Sequence, residues 1–119
     1  MRSSDANASI PNGAASLVTT AEGYARFLAG AIGNPELGKQ QVTINEFPGW
    51  GTRWAIERAA GHADLWQWGD NPGYKTFVLA EPATGGAVFV FTNGDAVARV
   101  YDRVLTKATG HDHPALFWL

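Results

Sequence analysis

The pattern of apolar and polar positions divides the chain into a helical segment, a series of short strands and a second helical segment. After Thr19, apolar residues recur at helical intervals at Tyr24, Phe27, Leu28 and Ile32. Thr19 and Glu22 have the spacing of a capping box, which marks the start of the first helix. The helix is predicted to end at "GNP" (33–35), because glycine and asparagine accept the left-handed cap conformation and proline cannot continue the helix.

The middle of the chain has the composition of consecutive β-strands. Four runs rich in aromatic and β-branched residues are separated by turns that contain glycine and proline: "TRWAIER" (52–58), "DLWQWG" (64–69), "YKTFVLAE" (74–81) and "AVFVFT" (87–92). In one of these turns Pro72 precedes Gly73, the order that a type II turn prefers. Connections this short join antiparallel neighbours, so the runs predict a meander.

The last third of the chain predicts a second helix from Asp95 to about Lys107, with Asp95 as its N-cap. Its apolar stripe consists of Val97, Val100, Tyr101, Val104 and Leu105. The tail "HDHPALFWL" ends in apolar residues and is expected to dock on the domain. The predicted fold class is α+β: an antiparallel sheet of about four strands flanked by an N-terminal and a C-terminal helix, both of which can cover the same face of the sheet.

Composition adds exclusions to this picture. The chain has 119 residues, enough for one small domain. Its net charge is -2, so it lacks the excess of basic residues that binding to nucleic acid or acidic lipid would require. It has no cysteine, which excludes disulfides and thiolate metal sites. The absence of cysteine is compatible with either a reducing or an oxidising compartment. The first residues lack the apolar core of a signal peptide, and "AVFVF" (87–91) is too short to span a bilayer. No cofactor is expected.

Four segments, in order, resemble a known family: "AASLVTTAEGYARFLAGAI", "LWQWGDNPGYKTFVL", "GGAVFVFTNGD" and "HPALFWL". They are similar to the C-terminal portion of the serine β-lactamase-like hydrolases, which include class C β-lactamases, penicillin-binding proteins, D-alanyl-D-alanine peptidases and esterases. The resemblance covers 14–119. It implies a partial β-lactamase-like fold, with residues 1–13 as a flexible N-terminal segment and 14–119 as a C-terminal subdomain of such a hydrolase.

The resemblance also implies a site. In this family a strand carries the third active-site motif, and that motif falls here on Gln67, Trp68 and Gly69. By the resemblance, Gly69 lets a substrate approach the strand, and the backbone N–H of Asp70 is one of two oxyanion donors. Two flanking aromatic residues, Trp66 and Tyr74, complete the set of candidate binding residues.

The departures from the family pattern concern the catalytic groups. No serine is followed by lysine three residues later, and no tyrosine is followed by asparagine two residues later. Gln67 also stands where a lysine or histidine is common. The expected function is therefore that of a serine-hydrolase fragment that is inactive alone. One alternative is a split-enzyme subunit completed by a partner chain, and another is a non-enzymatic module that binds a carbohydrate or a protein.

Two further groups of residues invite a binding hypothesis. The five tryptophans of the chain would suit sugar stacking, but tryptophans at alternating strand positions are more often core residues. His111 and His113 flank Asp112, yet the sequence near them supplies no third ligand at a suitable spacing. No metal site is predicted.

The strand "AVFVFT" raises the question of partners. It contains neither lysine nor proline, so an unpaired outer edge would favour association with another strand. Part of the face that carries Val88, Val90, Phe77 and Leu79 is also expected to lack cover. The prediction is a homodimer or larger oligomer, or assembly with a missing N-terminal hydrolase half.

Overall fold

A computed structural model describes residues 17–44, 48–59 and 61–118. Helix α1 (Ala21–Ile32) is followed by a short 3-10 helix, six strands, helix α2 and a final 3-10 helix (Pro114–Trp118). The strands and the second helix are β1 (Val42–Thr43), β2 (Pro48–Trp50), β3 (Ala55–Ala59), β4 (His62–Asn71), β5 (Tyr74–Glu81), β6 (Gly86–Thr92) and α2 (Ala98–Thr109). The predicted flexible segment, 1–13, lies outside the described residues.

The sheet is an antiparallel meander in which every strand pairs with its neighbours in sequence, in the order β1 to β6. The α+β class and the meander are thus confirmed, but the sheet has six strands instead of about four. The two additional strands, β1 and β2, contain two and three residues. Segments this short hold no alternating pattern that a sequence reading would detect.

The first helix begins one residue later than the predicted capping box. Thr20 is the N-cap, and its hydroxyl oxygen accepts a hydrogen bond from the Gly23 N–H at 3.1 Å. Glu22 instead forms an ion pair with Arg26, four residues along the exposed surface of the helix. The predicted cap at Thr19 is therefore wrong, because an adjacent threonine takes that role.

The second helix also begins later than predicted, at Ala98. Its N-cap residue, Val97, makes no capping hydrogen bond through its side chain. Asp95, the predicted cap, accepts a hydrogen bond from the Gly73 N–H at 3.0 Å instead. Gly73 has a φ of 77°, the left-handed conformation required in a type II turn. Asp95 thus ties the segment before α2 to the β4–β5 turn.

The two helices cover opposite faces of the sheet. On β5, Phe77 and Leu79 belong to one core cluster, and Val78 and Ala80 belong to another. The first cluster lies beneath α2 and consists of Ala55, Trp66, Phe77, Leu79, Tyr101, Leu105 and Ala115. The second lies beneath α1 and consists of Leu28, Trp54, Ile56, Leu65, Val78 and Ala80. The expectation that both helices share one face is wrong, and the uninterrupted apolar run "FVLA" is the mark of a strand buried on both faces.

The cover over the α2 face is more complete than predicted. Phe77 and Leu79 are fully buried, while Val88 and Val90 pack at the margin of the first cluster. The expectation that the face of Phe77 and Leu79 lacks cover is therefore wrong at those two residues. Strand β6 is nevertheless an edge strand, and no described residue pairs with its outer edge.

The C-terminal segment docks on the sheet, as the sequence predicted. His113 and Ala115 are buried, and the Ala115 N–H donates a hydrogen bond to the Glu57 carboxylate of β3 at 2.5 Å. Neither described helix, each of 12 residues, is long and apolar enough to cross a membrane.

The packing around Phe77 predicts where the domain is most sensitive to truncation. Phe77 is fully buried, with its ring centroid 5.9 Å from that of Trp66 and 5.7 Å from that of Tyr101. We expect Phe77→Ala to lower the free energy of unfolding by about 3–5 kcal/mol in urea denaturation. As a matched control, Phe27→Ala on the exposed side of α1 should cost about 1 kcal/mol or less. Equal losses would contradict the assignment of Phe77 to the core.

Candidate functional site

Strand β4 extends beyond its neighbour β3. The β3–β4 pairing reaches Trp66, opposite Ala55, whereas the β4–β5 pairing continues to Asn71, opposite Tyr74. Residues 67–71 of β4 therefore pair with a strand on one side only, within the part of the chain that the structure describes. A free strand edge offers main-chain hydrogen-bonding groups to a ligand. This edge carries the predicted third motif.

A cleft of about 280 Å³ borders this end of β4. Strands β4 and β5, the segment before α2 and α2 itself provide its lining: Trp68, Gly69, Asp70, Lys75, Thr76, Asp95, Val97 and Tyr101. A second recess of about 230 Å³ adjoins α1 and includes Gln67 among its lining residues. Trp68 and Thr76 border both spaces. Of the predicted site residues, Trp68, Gly69 and Asp70 thus share the cleft, and Gln67 faces the neighbouring recess.

Gly69 is opposite Thr76 in the β4–β5 register. A Cβ atom at Gly69 would lie 2.6 Å from Thr76 Oγ1, well inside van der Waals contact. The absence of a side chain therefore allows a close approach, as expected, but the group that approaches is a protein hydroxyl.

The cleft contains a cation that the sequence reading overlooked. Lys75 forms an ion pair with Asp70, and its Nζ lies 3.5 Å from Asp95 Oδ1. The hydrogen bond to Asp70 and the charges of both aspartates hold the pKa of Lys75 above its usual value. Gln67, at the position where the family often has a cation, instead donates a hydrogen bond to the Arg53 carbonyl at 2.5 Å. Lys75 is thus the positive charge nearest to the motif within the lining of the cleft.

Tyr101 connects the cleft with the core. It lines the cleft, yet it is only 4% exposed and packs against Phe77. Burial raises the pKa of the Tyr101 phenol, and Thr92 and Lys75 partly offset this effect. The sequence placed Tyr101 on the apolar stripe of α2, and its hydroxyl oxygen is buried without a hydrogen-bond partner among the described residues.

The remaining candidate residues lie outside the cleft. Trp66 is 3% exposed and stacks on Phe77, so it belongs to the core. Tyr74 is half-buried at the start of β5 and is absent from the cleft lining. Among the other tryptophans, Trp54 is buried and Trp50 packs against Trp66 at 6.1 Å, while the side chain of Trp118 lies outside the described part. Trp68, 48% exposed, is the tryptophan that faces the cleft.

A second cluster of functional side chains was missed by the sequence reading. It consists of two overlapping triads, and within each triad the ligand atoms lie within 4.8 Å of one another: Glu57, Asp64 and His113, and Asp64, Glu81 and His111. The cluster could not be recognised from spacing along the chain, because its carboxylates come from strands that are distant in sequence from His111 and His113. The register of β3 and β4 would have indicated the cluster, since it places the acidic residues Glu57 and Asp64 directly opposite each other. Like charges at such a position are unfavourable and require an explanation.

Comparison with known proteins gave no match for this chain among protein-family models, curated proteins or solved structures. The likeness to serine β-lactamase-like hydrolases therefore rests on the four sequence segments alone. What that likeness implies for function is a proposal.

The contact between Gly69 and Thr76 gives a testable coupling. We expect Gly69→Ala to lower the free energy of unfolding by about 1–3 kcal/mol, because the new Cβ collides with Thr76 Oγ1. Thr76→Ala should relieve the collision, so the double variant should be more stable than the sum of the two single effects predicts. Urea denaturation of all four proteins measures the coupling, and Gly33→Ala, where no atom lies within 4 Å, serves as the control. Strict additivity would argue against the contact.

Proposed function

We propose that this chain forms the substrate-binding wall of an acyl-transfer cleft of the serine β-lactamase-like type and is inactive on its own. The observation that carries the proposal is the free edge of β4 at 67–71 beside a cleft lined by Gly69 and Asp70. The sequence has no Ser-x-x-Lys and no Tyr-x-Asn, so this chain supplies neither the nucleophile nor its proton-handling partners. The alternatives remain a split-enzyme subunit completed by a partner chain and a non-enzymatic binding module.

In this proposal Asp70 supplies a backbone N–H to the oxyanion. The amide belongs to a strand that is fixed by its pairing with β5, where Asp70 lies opposite Lys75. A donor that is already in place before charge develops on a carbonyl oxygen requires no reorganisation during the reaction. Its position is thus set by the sheet and needs no loop closure.

Lys75 takes the role of the cation that Gln67 does not provide. Its ammonium group is held between Asp70 and Asp95 at the cleft, and a substrate carboxylate would compete with these two aspartates for it. This favours an anionic acyl compound, such as a β-lactam or a D-amino-acid peptide, over a neutral ester. The exposed ring of Trp68 would provide the apolar side of the same binding surface.

The first test asks whether the isolated chain binds such a compound without turning it over. We expect no hydrolysis of nitrocefin or p-nitrophenyl acetate above background and no acyl adduct with a fluorescent penicillin. Benzylpenicillin should nevertheless shift the amide resonances of Gly69, Asp70 and Thr76. Lys75→Gln should weaken this binding by about ten- to a hundredfold, since one charge-assisted hydrogen bond to the carboxylate contributes about 1.5–3 kcal/mol.

The control for this test is Lys39→Gln, which removes an exposed lysine that pairs with Glu36 away from the cleft. An acyl adduct on any serine would contradict the proposed inactivity. Unchanged cleft resonances at millimolar benzylpenicillin would argue against the cleft as an acyl-substrate site. A response of Trp68 to oligosaccharides alone would favour the binding module.

The edge of β6 leads to a prediction about assembly. We propose that the chain forms a homodimer or larger oligomer through this edge, which carries Phe91 at 42% exposure near its end. Sedimentation at micromolar concentration should give at least a dimer, and Val90→Lys should shift it toward the monomer. Val42→Lys on the two-residue strand β1 at the opposite edge is the control. A cooperatively folding monomer would contradict this proposal.

A further inference from the structure

Asp64 is an unpaired carboxylate in the interior of the domain. It lies on β4, is 1% exposed, and neither of its carboxylate oxygens has a hydrogen-bond partner among the described residues. A buried polar group without a partner is costly, and native proteins seldom contain one without a reason. Asp64 therefore requires a partner that the described residues do not supply.

The neighbours of Asp64 increase the need for a cation. Glu57 on β3 lies directly opposite Asp64 in the strand register, and Glu81 lies within the same cluster. The pKa of Asp64 is raised, first by burial and then by the charges of Glu81 and Glu57, while His113 and His111 partly offset this. Two further carboxylates and two imidazoles thus lie near Asp64, which belongs to both triads, and of these groups Glu81 and His111 are half-buried.

The triad of Asp64, Glu81 and His111, called the outer triad from here on, presents free lone pairs to an ion. His111 Nδ1 donates a hydrogen bond to the Asp112 carbonyl at 3.2 Å, which leaves Nε2 without its proton in the neutral ring. Glu81 Oε2 accepts a hydrogen bond from Thr84 Oγ1 at 3.0 Å, and its other oxygen faces His111. Metal-binding histidines and carboxylates are characteristically oriented by such outer hydrogen bonds.

The separation of these atoms suits an ion between them. His111 Nε2 and Glu81 Oε1 are 3.8 Å apart, too far for a hydrogen bond. Two ligand atoms at about 2.0–2.1 Å from a tetrahedral ion are separated by about 3.4 Å. A small contraction would therefore bring both atoms to bonding distance of a shared ion.

Glu57 and His113, called the inner pair from here on, already have hydrogen-bond partners. Glu57 accepts hydrogen bonds from the Ala115 N–H at 2.5 Å and from His113 Nδ1 at 2.8 Å. The other ring nitrogen, His113 Nε2, lies 2.8 Å from Thr109 Oγ1. With both nitrogens occupied, His113 has no free lone pair for an ion. The inner pair instead fixes the C-terminal segment against the sheet beneath Asp64.

We propose that Asp64, Glu81 and His111 bind one divalent transition-metal ion, with Zn²⁺ as the preferred ion. Two carboxylates and one imidazole match zinc and its neighbours in the first transition series, whereas Mg²⁺ and Ca²⁺ take oxygen ligands. The ion would join β4, β5 and the segment after α2. Asp64 is six residues from Asp70, about 20 Å along the strand, so this site is separate from the cleft and independent of the proposed function.

The experiment uses the full chain, without an affinity tag, after removal of metal by a chelator. Isothermal titration with ZnCl2 should give one site per chain, and the thermal midpoint should rise with Zn²⁺ and, less, with Mn²⁺, but not with Mg²⁺. Co²⁺ should give the visible absorption of a low-symmetry site that includes a nitrogen ligand. Asp64→Asn and His111→Ala should each weaken Zn²⁺ binding at least tenfold.

Two features of the design separate a lost ligand from a lost fold. Metal-free Asp64→Asn should be at least as stable as the metal-free wild type, because it removes a buried unpaired charge. The control His62→Ala removes an exposed ring that stacks on His111 at 5.5 Å without being part of either triad, and it should retain one-to-one binding. If Asp64→Asn fails to fold, Zn²⁺ binding by His111→Ala decides the test, since this variant leaves the inner pair of Glu57 and His113 intact. Binding that is absent or non-stoichiometric in the wild type, or unchanged in His111→Ala, would overturn the proposal.

Discussion

The pairing of β4 with β5 is the interaction on which the rest of the domain depends. Seven consecutive residue pairs join these strands, from Leu65–Ala80 to Asn71–Tyr74. Their alternating side chains supply the centre of both core clusters, so each helix packs on residues of the same hairpin. The candidate cleft lies at the end of this pairing where β3 no longer accompanies β4. The buried part of the hairpin thus anchors the partly exposed end of β4, residues 67–71, whose outer edge pairs with no described strand.

The sequence predicted the fold well where the pattern was long. Both helices, the four longer strands, the Pro72–Gly73 turn and the docked tail follow from periodicity and turn chemistry. The errors arose where two similar residues competed locally, as with Thr19 and Thr20, or where a side chain found a distant partner, as with Asp95 and Gly73. The placement of the helices on opposite faces was missed because the alternation in "FVLA" is invisible when every residue is apolar.

The candidate site was only partly accessible from sequence. The motif at Gln67 to Gly69 was recognisable as a contiguous segment, and Trp68 and Gly69 do line one cleft with Asp70. Lys75 was not recognised, because its approach to Asp70 depends on the hairpin register. The cluster around Asp64 was missed for a stronger reason: its members come from three strands and the C-terminal segment, and only the folded sheet brings them together.

The hydrogen bond from the Gly73 N–H to Asp95 has a consequence for the shape of the cleft. It fastens the segment before α2 to the tip of the same hairpin that forms the wall, and Tyr101 follows within the first turn of that helix. This hydrogen bond therefore restrains the hairpin tip and the start of α2, two elements that line the cleft, relative to each other. A ligand that entered the cleft would meet two lining elements that are already joined, and this connection would reduce the conformational entropy lost on binding.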